Sequence, residues 1–153
     1  GLIPDTATLV VHRREWAAAC DPREIVANLY VPADYAGVRP RLEVEGDHDL
    51  FGDGSVVLFE THGHTPGHQS VRVRTGGHDV VLCGDACYFA EWIDGDEGSP
   101  IIGRDKVAEV ASLRRLRELR DAGSRLIVGH DPEVWASIAQ APEPVDLATA
   151  GVV

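Results

Sequence analysis

The sequence predicts a mixed α/β (α+β) fold, and three observations carry that prediction. Short apolar runs of strand length, Val56-Val57-Leu58-Phe59, Val80-Val81-Leu82-Cys83 and Leu126-Ile127-Val128, recur through the chain. Capped segments with helical spacing lie between and beside them, the longest opening at Asp105. Gly- and Pro-rich stretches separate the two kinds of element.

Taken in order, Thr8-Leu9-Val10-Val11 reads as a short strand, followed by a helix around Arg13 to Ala19. Asp21, Pro22 and Glu24 carry the signals of an N-cap, a first helical position and a capping-box acid, and Ile25, Val26 and Leu29 keep helical spacing until Pro32. Residues 33–40 read as a connecting loop. Arg41-Leu42-Glu43-Val44 alternates as a strand, and Gly52-Asp53-Gly54 turns the chain into Val56–Glu60. Ser70 to Arg74 alternates apolar with basic, Gly76-Gly77 turns it, and Val80 to Cys83 fits a strand buried on both faces. Residues 90–100 read as an exposed acidic loop able to form one wall of a pocket. Asp105 caps a helix with an apolar stripe at Val107, Val110, Leu113, Leu116 and Leu119, which Gly123 ends. Its arginines, Arg114, Arg115, Arg117 and Arg120, read as solvated or paired with Glu118 and Asp121. After the strand at Leu126, Asp131-Pro132-Glu133 starts a last helix to about Gln140. Residues 1–140 form one domain on this reading, and 141–153 a loosely held tail.

Composition narrows the function. At 153 residues, with 44% apolar and 25% charged residues, the chain is an ordinary globular domain that buries about two-thirds of its unfolded surface. A net charge of −11 argues against nucleic acid or anionic membrane as partners. No apolar run approaches the roughly 18 residues that span a bilayer, and no charged-then-apolar leader is expected. Cys20, Cys83 and Cys87 have no paired spacing and read as free thiols in a reducing, cytoplasmic compartment.

The chemistry concentrates in Thr61-His62-Gly63-His64-Thr65-Pro66-Gly67-His68-Gln69-Ser70, a Gly/Pro-braced loop after a strand. Imidazoles on such a loop suit zinc and similar ions. Two further strands end in ligand types: Gly84-Asp85 and Gly129-His130. Ligands at one edge of a rigid sheet can converge on one point. Taken singly, Asp85 could be a turn residue and His130 a side chain satisfied by the following helix.

The loop, together with Cys83-Gly84-Asp85-Ala86-Cys87-Tyr88 and Gly129-His130-Asp131, resembles the metallo-β-lactamase superfamily, and within it the N-acyl homoserine lactonases that quench quorum sensing. The resemblance runs from about Thr6 to about Ile138. It implies the C-terminal half of an αβ/βα sandwich with a mixed sheet and flanking helices. It further implies that His68 binds one zinc, Asp85 bridges two, and His130 binds the second, while His64 and Gly67 support the loop. Tyr88, three residues after the bridging Asp85, is the implied group that polarises the lactone carbonyl or its departing alkoxide; the alternative is a core aromatic beside Phe89. His62 stands where the family usually has Pro. His12, His48 and His78 match nothing functional.

The family's His-x-His-x-Asp-His segment does not occur in this sequence. The implied role is therefore part of a dinuclear hydrolase site, in which a metal-activated hydroxide opens a small-molecule lactone or ester. Two consequences are expected: weak metal binding by this chain alone, and an exposed apolar face that recruits a complementary N-terminal half or a second copy. The rivals are a thioesterase of the glyoxalase II kind and a non-catalytic split or truncated subunit.

Overall fold

The computed structural model describes residues 6–35, 37, 40–95, 104–140 and 142–145. Among the described residues, seven strands and five helices follow in the order β1 (Leu9–His12), α1 (Arg13–Cys20), α2 (Pro22–Ala27), α3 (Pro32–Tyr35), β2 (Arg41–Val44), β3 (His48–Asp49), β4 (Val56–Glu60), β5 (Gln69–Arg74), β6 (Asp79–Gly84), α4 (Lys106–Asp121), β7 (Arg125–Val128) and α5 (Pro132–Ser137). A 3-10 turn at Ala90–Trp92 precedes α4. The main sheet is mixed, in the order β3-β4-β5-β6-β7, antiparallel except for the parallel pair β6 and β7. That is the mixed sheet with flanking helices that the resemblance implies.

The core explains why this sheet is stable. Phe59 of β4, Val80, Val81 and Cys83 of β6, and Leu126, Ile127 and Val128 of β7 pack with Leu113 and Leu116 of α4 and Val134 of α5. Each such side chain contributes about 1.5–3 kcal/mol by leaving water. Asp105 caps α4 by accepting from the Ala108 N–H, and Asp131 caps α5 by accepting from Glu133 and Val134. Gly123 closes α4 at φ +100°, a left-handed angle open to glycine.

Strand β2, expected as a strand, pairs in parallel with β1, from Leu9–Arg41 to His12–Val44, apart from the main sheet. Several local expectations are corrected. The segment after α2 is not all loop: Pro32, whose ring pre-sets a helical φ, opens the turn α3, and the Tyr35 hydroxyl fastens it to the Ala19 carbonyl at 2.7 Å. Asp21 caps α2 as expected, but Glu24 accepts from the Asn28 side chain instead of completing a capping box. Helix α2 ends at Ala27, short of the Leu29 that the helical spacing reached; Leu29 takes a left-handed φ of +57°, and both it and Val26 are exposed. Val107 is likewise 82% exposed, and Leu82 is 43% exposed although its neighbours Val81 and Cys83 are buried.

The stretch predicted as an exposed loop at 90–100 buries Ile93, and residues 96–100 lie outside those described. The arginines of α4 reach beyond their own helix: Arg120 pairs with Asp94 at 2.9 Å as well as with Asp121, Arg115 with Asp47, and Arg117 donates to the Ile93 carbonyl. Helix α5 ends at Ser137, short of Gln140. Of the expected tail, only residues 142–145 are described.

Candidate metal centre

Topology brings the predicted strand ends to one edge. Because β6 and β7 are parallel, Asp85 and Gly129-His130 leave the sheet on the same side. Strand β5 runs antiparallel to β6, so its first residue, Gln69, and His68 before it lie at that same side. A register shift between Leu82 and Gly84 turns the chain there. Backbone bonds from Gly129 N–H to the Cys87 carbonyl and from His130 N–H to the Tyr88 carbonyl, both 2.9 Å, then zip the two loops together.

The histidine loop is held from three directions. Gly63 has φ +128°, and a Cβ there would come within 2.5 Å of the Glu109 backbone. Gly67 is needed for space instead: any Cβ would fall on the backbone of Glu15, whose carboxylate accepts the Gly67 N–H at 2.8 Å. Ser112 of α4 donates to the His62 carbonyl at 2.7 Å. Glu109, buried at 5% exposure, pairs with Lys106 beneath the loop.

The protonation of His68 follows from its partners. A backbone carbonyl only accepts, so the Ser70 hydroxyl must donate to the Cys83 carbonyl (2.9 Å). The Thr61 hydroxyl then donates to Ser70 Oγ (2.8 Å), and His68 Nδ1–H donates to Thr61, at 2.9 Å from Oγ1 and 3.1 Å from its carbonyl. That leaves Nε2 as a lone pair, which accepts the Asp85 N–H at 3.1 Å. Burial, aided by the neighbouring His64, lowers the His68 pKa and keeps the ring neutral. A neutral imidazole with Nδ1–H anchored and a lone pair on Nε2 is the form that binds metal, so His68 fits that role once Nε2 gives up its bond from the Asp85 N–H.

Asp85 sits between two other imidazoles. His64 Nε2 lies 3.2 Å from one carboxylate oxygen and His130 Nε2 2.9 Å from the other. The hydrogen bond from His64, with that from His130, outweighs burial and holds the Asp85 pKa at about 2. His64, expected as loop support, thus also touches the carboxylate, and its Nδ1 is a buried atom without a hydrogen bond. His130 is the most open of the set, with its side chain 52% exposed. The ring of Tyr88 lies 4.2 Å from that of His130 and 5.8 Å from that of His64, and it stacks on Trp92. Burial, then the charges of Asp85 and Glu109, raise its pKa and keep the hydroxyl protonated.

His64, His68, Asp85, Tyr88 and His130 are therefore gathered at one sheet edge, as are two supports that the sequence reading did not assign, Thr61 and Ser70. Only their position inside the loop string hinted at them. Beside Asp131, Phe89 to Glu91 and Asp131 to Glu133 line a cavity of about 430 Å3. Among the described residues, the set of three ligand-type side chains whose donor atoms all lie within 4.8 Å of one another is a different one, His12, Glu60 and His62.

Residues 6–130 match the Metallo-beta-lactamase superfamily. The N-acyl homoserine lactonase AttM of Azorhizobium caulinodans is 33% identical over 144 residues, a match covering 89% of this chain and 54% of that protein. The N-acyl homoserine lactonase AiiA of Bacillus thuringiensis subsp. kurstaki is 31% identical over 137 residues, covering 88% and 51%. A solved N-acyl homoserine lactone hydrolase, with N-hexanoyl-L-homoserine bound at its catalytic metal center, superposes with a TM-score of 0.77 at 28% identity, covering 91% of this chain and 53% of that one. The chain spans about half the length of the curated relatives it matches.

Proposed function

The chain belongs to the metallo-beta-lactamase superfamily, and from that membership we propose that it supplies part of a metal-dependent hydrolase site that opens the ring of N-acyl homoserine lactones. His68, Asp85 and His130 are the metal ligands in this reading, with His64 and Gly67 supporting the loop. The observation that carries it is the hydroxyl relay from Ser70 through Thr61, which leaves the Nε2 lone pair of His68 directed at the Asp85 turn. Zinc held by these groups supplies Lewis acidity that polarises a carbonyl and acidifies water.

The chain's own side chains supply the rest. Asp85 is anionic at neutral pH and holds the His64 and His130 rings at its two oxygens. Tyr88, kept protonated, can donate to the oxygen on which charge develops as the ring C–O bond breaks. Its stacking on Trp92 restrains the ring for that contact. The product is a hydroxy acid.

The remaining ligands come, in this reading, from a His-x-His-x-Asp-His segment outside these residues, whether on the same polypeptide, on a complementary N-terminal half or on a second copy. No helix among the described residues is long and apolar enough to cross a membrane; the free cysteines Cys20, Cys83 and Cys87 support a cytoplasmic location.

The test is hydrolysis of N-hexanoyl-homoserine lactone by the zinc-loaded chain, mixed with a polypeptide bearing the missing segment. Ring opening is expected with the mixture and not with an Asp85→Asn chain. Cleavage of an acyl-glutathione thioester, with the lactone left intact, would overturn the assignment in favour of a thioesterase.

A further inference from the structure

A second cluster lies where β1 passes the end of β4, on residues the proposed catalytic centre does not use. His12 is 1% exposed, and its Nε2 lies 2.9 Å from Glu60 Oε1. His62 Nε2 lies 3.6 Å from the same oxygen, and the two rings meet edge to face at 4.8 Å. We propose that His12, Glu60 and His62 form a second metal site, for a single divalent ion of the zinc class, with a structural role.

His62 holds a buried lone pair with no hydrogen bond. The His68 carbonyl can only accept, so His62 Nδ1 carries the proton it donates there, at 3.2 Å. Its Nε2 is consequently a lone pair, buried and without a hydrogen bond, facing a carboxylate oxygen. Two electron-rich atoms aimed at one space are stabilised by a cation between them. His62 already has the anchored Nδ1–H of a metal ligand, and the Gly46 N–H steadies Glu60 at 2.9 Å. Two imidazoles and one carboxylate make a donor set suited to zinc.

His12 must change to take part. In the structure its Nδ1 accepts the Arg14 N–H and caps α1, so Nε2 carries the proton that goes to Glu60. On binding, that proton moves to Nδ1, the ring stays neutral, Nε2 becomes a donor to the ion, and the cap bond to Arg14 is given up. The ion would join β1 and α1 to the histidine loop, whose His62 carbonyl is already fixed to α4 by Ser112. His62 also lines a cavity of about 270 Å3 bounded by Arg14, Arg104 and Thr65, which gives an entry path.

The test separates this site from the first one and does not read activity. In an Asp85→Asn/His130→Ala chain, cobalt titration followed by visible absorption, and equilibrium dialysis with zinc, are expected to show one ion per chain. Adding His62→Gln or Glu60→Gln is expected to weaken that binding at least about tenfold. Zinc should raise the melting temperature of the Asp85→Asn/His130→Ala chain and leave both triple variants unmoved, with circular dichroism confirming that each is folded. If the starting variant takes up no ion, or if either triple variant retains it with equal affinity, the proposal is wrong. Because two ligands of the first centre are absent throughout, failure of the lactone reading does not alter these outcomes.

Discussion

The hydroxyl of Thr61 lies 2.9 Å from Nδ1 of His68, and Thr61 itself is fully buried. This contact passes the orientation of one carbonyl, that of Cys83, to the ring nitrogen on the far side of His68. Thr61→Val keeps the shape and removes the relay. It is expected to cost about 1–3 kcal/mol, because Ser70 and His68 lose a partner in a buried place. Zinc affinity should fall about 10–100-fold, as for other groups that orient a ligand. Urea unfolding and zinc dialysis read the two effects separately. Unchanged affinity at reduced stability would deny Thr61 its orienting role.

Gly67 has no room for a side chain against Glu15. Gly67→Ala should therefore push the loop off α1 and destabilise the chain by about 1–3 kcal/mol. Glu15→Gln keeps the volume and should cost less, since its one amide oxygen still accepts from the Gly67 N–H, while the Tyr30 hydroxyl, 2.6 Å from the other position, can turn to accept from the amide NH2. A larger loss for Glu15→Gln than for Gly67→Ala in thermal melts would contradict the steric account.

Helix α4 offers a control inside one apolar stripe. Leu116 is fully buried and Val107 is 82% exposed. Leu116→Ala should cost about 2–5 kcal/mol, and Val107→Ala should stay within about 0.5 kcal/mol. Equal effects on the urea midpoint would mean that α4 docks differently.

Burial raises the Cys87 thiol to about 12 and the Cys83 thiol further still. The unfolded thiols ionise near about 8.5. Above that pH the unfolded chain sheds protons that the folded chain retains, so stability falls as pH rises. The contribution is fully present below about pH 8 and declines above it, towards the folded values. Urea midpoints between pH 7 and 10.5 should drop accordingly. Thiol labelling of the native chain at pH 8 should modify exposed Cys20 and spare the other two.

The local rules of the chain account for much of what is seen. Strand β4 spans Val56–Glu60 as its apolar run indicates, and Asp105 caps α4 through its own side chain, because both features depend on a few neighbouring residues. Legible too were the glycines of the histidine loop and the strand ends at Asp85 and His130. Periodicity failed where burial depends on what packs against a face: Val26, Leu82 and Val107 have apolar spacing and stand in water.

The sequence by itself determined most of the strands and helices and which residue types stand at the strand ends, since both follow from local backbone preference and side-chain chemistry. Only the tertiary structure decided that His64 shares Asp85, that Ser70 and Thr61 set the protonation of His68, and that His12, 48 residues before Glu60, meets it and His62. Those contacts depend on register, on the parallel pairing of β6 with β7, and on the course of β1 past the end of β4. Such relations join residues far apart in the chain, and no local pattern encodes them.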